Sequence, residues 1–394
     1  MSGGAGTGWL KDRCAVAGIG QTEFSKESGR SELQLACEAI VAALADAVLR
    51  PDQVDGLVTF TMDSREEAEV ARSVGIPELS MFSRVPYGGG AGAGTVLQAA
   101  MAVATGVASV VVCYRAFNER SGIRFGDTGR AMNGVPPWLS WYAPFGLLTP
   151  AAWVALHARR YMHDYGVTNE DFGRVSVVDR AHAATNPAAW FHGRPITLED
   201  HQQSRWIVEP VLRLLDCCQE SDGGVALVVT SRERAADLRQ PPVLITAAAQ
   251  GAAFDSEMMT AYYRDDLHGL PDMAAVADRL WRDSGLGPDD MSAAILYDHF
   301  TPFVLMQLEE LGFCGRGEAR EFATVENLSI GGRLPINTNG GQLGEAYIHG
   351  MNGITEAVRQ VRGTACNQVP GVEHVLVTSG TGVPTSGLIL GVDR

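Results

Sequence analysis

Short apolar runs that alternate with longer amphipathic stretches set the strongest limit on how this 394-residue chain can fold. CAVAGIG, VDGLVTF, SVVVCY and GVALVVT in the first half, then PVLITAAAQG, AAILYDHF, HVLVTSG and GLILGV, have the length and β-branched content of strands. Between them, ELQLACEAIVAALADAVL, AGAGTVLQAAMAVATG, DMAAVADRLWRDSG and PFVLMQLEELG have helical spacing. This alternation predicts an α/β fold, and continuous runs such as SVVVCY predict strands covered on both faces. A break at Pro241 and Pro242 divides the chain into two parts of the same rhythm, 1–240 and 241–394. The first is interrupted at about 118–215 by an insertion rich in Trp, Pro and His.

The net charge of −15 opposes nucleic acid or an anionic membrane as the main partner. No apolar run reaches the roughly 18 residues of a membrane span, and MSGGAGTGWLKDR lacks an apolar signal core and is expected to be a flexible leader. Seven scattered cysteines without a C-x-x-C pair predict reduced thiols in a cytoplasm and no structural zinc.

Two glycine-rich segments stand out. GGGAGAG, 88–94, precedes a helix; close packing accounts for it better than phosphate binding, because no acidic residue follows at dinucleotide spacing. NTNGGQLGEAYIHGMNG, 337–353, can bring backbone close to a ligand, and it carries Glu345, Tyr347 and His349. Glu345 and His349 are expected to be solvated loop residues, with Glu345 also able to tune Tyr347. Trp138, Trp141 and Trp190, with Pro136 and Pro137, would either line an apolar slot or pack beneath a loop.

Five segments, in order, resemble thiolase-like proteins of the sterol-carrier-protein type. They are AVAGIGQTEF, ARRYMHDYGVTNEDFGRVSVVDRAHAATNP, LLDCCQESDGGVALVVTS, LYDHFTPFVLMQLEELGFCGRGEA and the 337–353 loop. The resemblance implies the thiolase fold, two similar α/β halves in a five-layer αβαβα arrangement, and a homodimer. It also places departures on the chemistry. Gly90 stands where a thiolase keeps its nucleophilic cysteine, and Gly380 where it keeps the second cysteine. Tyr347 replaces the histidine of GHP, while Tyr297 and His299 replace the histidine and cysteine of HDCF. Without the nucleophile no acyl-enzyme forms there.

Tyr297, Tyr347 and His299 can all move protons, which suits aldol cleavage of a β-hydroxyacyl-CoA. A base takes the hydroxyl proton, the Cα–Cβ bond breaks, and donors hold the thioester enolate. Asp298 is expected to orient the site, and amides near Gly90 and Gly380 to form an oxyanion pocket. For Tyr297 the plain alternative is a core tyrosine with a satisfied hydroxyl. Lys11 and Lys26 lie in the leader and an early loop, which disfavours a Schiff base. The histidines of the insertion lack ligand-like pairing, so no metal and no cofactor is expected beyond the CoA carried by the substrate.

Chains with these replacements resemble the actinobacterial lyases of steroid side-chain breakdown. That resemblance implies cleavage of a 17-hydroxy C22 steroid-CoA to a 17-ketosteroid and propionyl-CoA. It also implies a partner, a zinc-ribbon/OB-fold domain of an acyl-CoA hydratase. The rivals are a non-catalytic acyl-CoA or sterol carrier and a thiolase-type acyltransferase with a displaced cysteine.

Overall fold

The computed structural model describes residues 8–122, 124, 140–256, 262, 264–382 and 384–394. Nine of the described strands join one mixed sheet in the order β3-β2-β4-β7-β1-β8-β11-β10-β9. These are β1 (Cys14–Gln21), β2 (Gly56–Phe60), β3 (Met81–Val85), β4 (Val110–Asn118), β7 (Asp222–Ser231), β8 (Val243–Gly251), β9 (Ala293–Ile295), β10 (His374–Ser379) and β11 (Thr385–Val392). A separate hairpin joins β5 (Trp206–Val208) to β6 (Leu212–Arg213). The first five strands meet the last four only where β1 pairs with β8, through Ala15–Leu244 and Val16–Val243.

Each strand sends alternate residues to opposite faces, and three apolar cores follow from that. Leu57 of β2 and Val112 of β4 turn outward onto α1 (Glu32–Ala47), meeting Leu35 and Ile40. Val58 and Phe60 turn inward, where Val96 of α3 (Gly92–Ala104) and Ile354 of the helix Met351–Arg362 meet Val375 of β10. Leu376 and Ile389 face away again, onto the helices Pro271–Ser284 and Thr301–Glu310. The layers therefore run helix, sheet, helix pair, sheet, helix. A middle-layer helix must be apolar nearly all round, and α3 buries eight of its thirteen residues. Close approach is built into β1: a β carbon on Gly20 would lie 2.3 Å from Ala39 O of α1.

The insertion adds the helices Pro150–Tyr165 and Asn169–Thr185 beside the last core. The expected strand AAILYDHF is cut to Ala293–Ile295. There the backbone leaves the ladder, because Leu296 N–H donates to Asn337 Oδ1 at 2.8 Å and Tyr297 N–H to Thr378 Oγ1 at 2.9 Å. Among the described residues no helix is long and apolar enough to cross a membrane.

Candidate active site

The exit from β9 aims Tyr297 into the middle layer, and Gln307 fixes it further by donating from Nε2 to Tyr297 O at 2.9 Å. Tyr347 arrives from the glycine loop ahead of Met351–Arg362, where its N–H donates to Ser221 Oγ at 3.3 Å. The two phenol oxygens lie 3.2 Å apart and hydrogen-bond to each other, with the residues 3% and 9% exposed. Burial raises both phenols well above the ordinary value of 10, and nearby Cys218 and Glu119 push the same way. Both tyrosines are therefore neutral at any physiological pH.

The glycines make room for this pair. A β carbon on Gly89 would lie 1.8 Å from Tyr297 Oη, so only glycine lets the run reach the phenol. Gly380, at φ +73°, presses on the same run: a β carbon there would lie 2.4 Å from Gly90 Cα. Gly90 and Gly380 thus meet one another beside Tyr297. His299 joins them, its ring centre 4.8 Å from that of Tyr297 and its Nε2 3.4 Å from Thr381 Oγ1. Burial drives its imidazole down to about 3, so it is neutral. Asp298 turns away from the phenols. Its carboxylate accepts from Gln342 N at 2.9 Å and Leu343 N at 3.0 Å, pinning the start of the 337–353 loop.

Glu345 and His349 are not solvated; each is 1% exposed. The Glu345 carboxylate accepts from Asn186, Asn339 and Asn352 at 3.0, 2.5 and 2.8 Å, which ties the loop to the insertion. His349 stacks on Phe117 at 4.9 Å, and its ring stands edge-on to Tyr347 at 5.1 Å. Lys26 is close to the site as well. Its ammonium donates to Glu220 O at 2.5 Å and Gln219 O at 3.3 Å, just before the serine that holds Tyr347, and burial lowers it to about 8. Glu119, at the end of β4, is buried with Oε2 lacking a hydrogen-bond partner among the described residues. Burial, then Glu220, raise its carboxyl well above the usual range. No local pattern marks Glu119, since its neighbours arrive from segments far along the chain.

Trp190 packs on the loop, donating N–H to Glu345 O at 3.0 Å, while Trp141 is 75% exposed. Pro136, Pro137 and Trp138 lie outside the described residues. Burial pushes the Cys113 thiol up to about 12 and those of Cys217 and Cys218 well above their usual range, so none offers a thiolate. Among the described residues no group of three or more His, Cys, Asp or Glu is placed to hold a metal ion.

Residues 251–391 match the family described as thiolase C-terminal domain-like. Over 389 residues, 98% of this chain and 99% of the other, the sequence is 69% identical to the steroid side-chain-cleaving aldolase of Thermomonospora curvata. It is 64% identical over 388 residues, 97% and 100% of the two chains, to 17-hydroxy-3-oxo-4-pregnene-20-carboxyl-CoA lyase of Mycobacterium tuberculosis. The solved Ltp2-ChsH2(DUF35) aldolase superposes with a TM-score of 0.93 at 69% identity, covering 98% of this chain and 99% of that one. Human mitochondrial 3-ketoacyl-CoA thiolase in complex with CoA superposes at 0.71 with 15% identity over 98% and 99%, a likeness of fold alone.

Proposed function

The chain belongs to the steroid side-chain-cleaving aldolases, carbon–carbon lyases on the thiolase fold, and from that we propose that its buried tyrosine pair is the proton relay of a retro-aldol cleavage. The substrate is a steroid CoA ester. We take it to be the 17-hydroxy C22 thioester that the M. tuberculosis relative's name describes, with a 17-ketosteroid and propionyl-CoA as products.

The single observation that carries the relay is the 3.2 Å contact between two phenols that are both neutral. Retro-aldol cleavage moves one proton from the β-hydroxyl to the α-carbon, with no net change of charge. One phenol accepts the C17 hydroxyl proton while its own proton passes to the other. The C17–C20 bond breaks, the C17 oxygen becomes a ketone, and the electron pair enters the thioester as an enolate. In the same event the second phenol, as it receives that proton, gives its own to C20, so neither oxygen ever holds two protons and both tyrosines end neutral. A free tyrosinate, which burial makes costly, is never needed. Gly90 and Gly380 bring backbone to the same place and supply amides for the enolate oxygen. His299 lines the pocket beside Tyr297, and Asp298 holds the loop that presents Tyr347. No cofactor is required, since CoA enters as part of the substrate.

The name of the superposed aldolase contains a DUF35 component, and we take this chain also to work with such a partner, of zinc-ribbon/OB-fold type, as a cytoplasmic homodimer.

The test is mass-spectrometric detection of a ketosteroid and propionyl-CoA from a 17-hydroxy C22 steroid-CoA, with and without that partner. Tyr297→Phe and Tyr347→Phe should each lower kcat by about 10²–10⁴-fold. Near wild-type rates in both would end the relay assignment, and intact substrate with binding retained would make the chain a carrier.

A further inference from the structure

Two amide side chains of the 337–353 loop are each satisfied at one end alone. Gln342 donates from Nε2 to Asp298 Oδ1 at 3.3 Å, and its Oε1 has no hydrogen-bond partner among the described residues. Asn352 donates from Nδ2 to Glu345 Oε2 at 2.8 Å and to Ala346 O at 3.1 Å, and its Oδ1 likewise has none. Turning either amide over would set its oxygen against a carboxylate, so the nitrogen ends are fixed where they are. Both oxygens are thereby left as acceptors. The residues are 3% and 0% exposed, and a buried polar atom without a partner is costly.

The two residues line one cavity, which lies between the exit from β9 and the loop. Ile295, Tyr297 and Asp298 come from the first, and Gln342, Asn352 and Gly353 from the second. Every residue that lines it is buried. Glycine keeps it open, since a β carbon on Gly353 would lie 2.7 Å from Ile295 Cγ2. The cavity measures about 10 Å³, the room that a single water needs. Two acceptors at one small cavity call for a molecule with two donors, and water is the smallest.

We propose that this cavity is a binding site for one water, which donates one O–H to Gln342 Oε1 and the other to Asn352 Oδ1. The water completes a chain of hydrogen bonds between two buried carboxylates: Asp298, Gln342, water, Asn352, Glu345. Gln342 precedes Tyr347 in the loop and Asn352 follows it, so the water ties together the two sides of the segment that presents Tyr347. Tyr297 lines the same cavity. In the retro-aldol reading, on which this consequence rests, Gln342 and Asn352 are positioning residues that act through the water to hold the two phenols at relay distance.

The first test is a crystal structure of the full chain at a resolution that shows ordered waters. One water within about 3 Å of both Gln342 Oε1 and Asn352 Oδ1 is expected; an empty cavity, or a water that reaches one oxygen alone, overturns the proposal. Gln342→Met keeps the length of the side chain, and Asp298 keeps its donors Gln342 N and Leu343 N, but the acceptor is gone. Oxygen-17 magnetic relaxation dispersion should then count one long-lived water fewer than in the wild type. In the steroid cleavage assay kcat should fall about tenfold, as expected for a small misplacement of reacting groups, with KM changed little. An equal count of waters in the two proteins overturns the site, and an unchanged kcat with the water gone overturns its hold on the phenols. Should Gln342→Met not fold, the wild-type crystal structure decides. Neither reading of the water needs turnover, so intact steroid-CoA with the water in place would remove the lyase reading and leave the site standing.

Discussion

At the scale of single residues, the site depends on side chains that are missing. Gly89 leaves no space for a methyl group, which would sit 1.8 Å from Tyr297 Oη. Gly89→Ala must push that phenol away from Tyr347, and a displacement of about 1 Å in a reacting group can cost about 10²-fold in rate. The expected result is a kcat about 10²-fold lower, with a stability loss of only about 1–3 kcal/mol from overpacking. Steady-state kinetics and urea denaturation of the same preparation check both. Tyr297, Tyr347 and the meeting of Gly90 with Gly380 were legible because each falls within a motif whose usual residue is different. Glu345 and His349 were not, since a polar glycine loop looks solvated when only its own residues are considered. Their partners come from far along the chain: Arg115 lies 234 residues before His349, and Asn186 159 residues before Glu345.

Among the elements, Met351–Arg362 carries the clearest electrostatic load. Glu356 Oε1 accepts from Thr338 Oγ1 at 2.6 Å and from Gln360 Nε2 at 3.1 Å, and burial raises its carboxyl to about 7. The folded state thus holds this proton more tightly than the unfolded chain, whose glutamate titrates near 4.5. The associated stability is complete below about pH 4.5 and is lost as pH rises through 7. Glu356→Gln removes that dependence while keeping an acceptor oxygen. Between pH 5 and 7.5 the wild type should therefore lose up to about 3 kcal/mol more than the variant, measured by chemical denaturation at each pH. Equal slopes would mean that Glu356 is already ionised in the fold. The helices α1 and α3 were legible from their spacing. MFSRV of β3 was not, because an edge strand with one neighbour needs no apolar run and stays half-exposed. AAILYDHF looked longer than β9 is, because side chains of Asn337 and Thr378 take over the backbone where the ladder should continue.

At the scale of the whole molecule, the five layers bury six of the seven cysteines at least in part and leave Cys366 exposed. Cys37 and Cys14 are raised by burial, like the thiols near the site, and the Cys366 Sγ donates to the Thr185 carbonyl at 3.0 Å. Iodoacetamide at neutral pH should therefore label Cys366 and leave the lyase rate unchanged, as checked by peptide mass mapping beside the cleavage assay. Loss of activity in step with labelling of another cysteine would favour the displaced-cysteine acyltransferase. Helix and strand spacing made legible an α/β fold in two parts of the same rhythm, while the five-layer order came from the resemblance to thiolase-like proteins. The joining of nine strands into one sheet was not legible, since it turns on two residue pairs between β1 and β8.

That junction has a consequence for synthesis. β1 precedes the other described strands, and both of its neighbours, β7 and β8, lie beyond residue 221. At about 5–20 residues per second, a ribosome takes on the order of 10–40 s to cover the intervening 200 or so residues. Throughout that interval the sheet's most central strand has neither edge paired, so a nascent chain must keep CAVAGIG from other company until β7, at the end of its first part, and then β8 emerge.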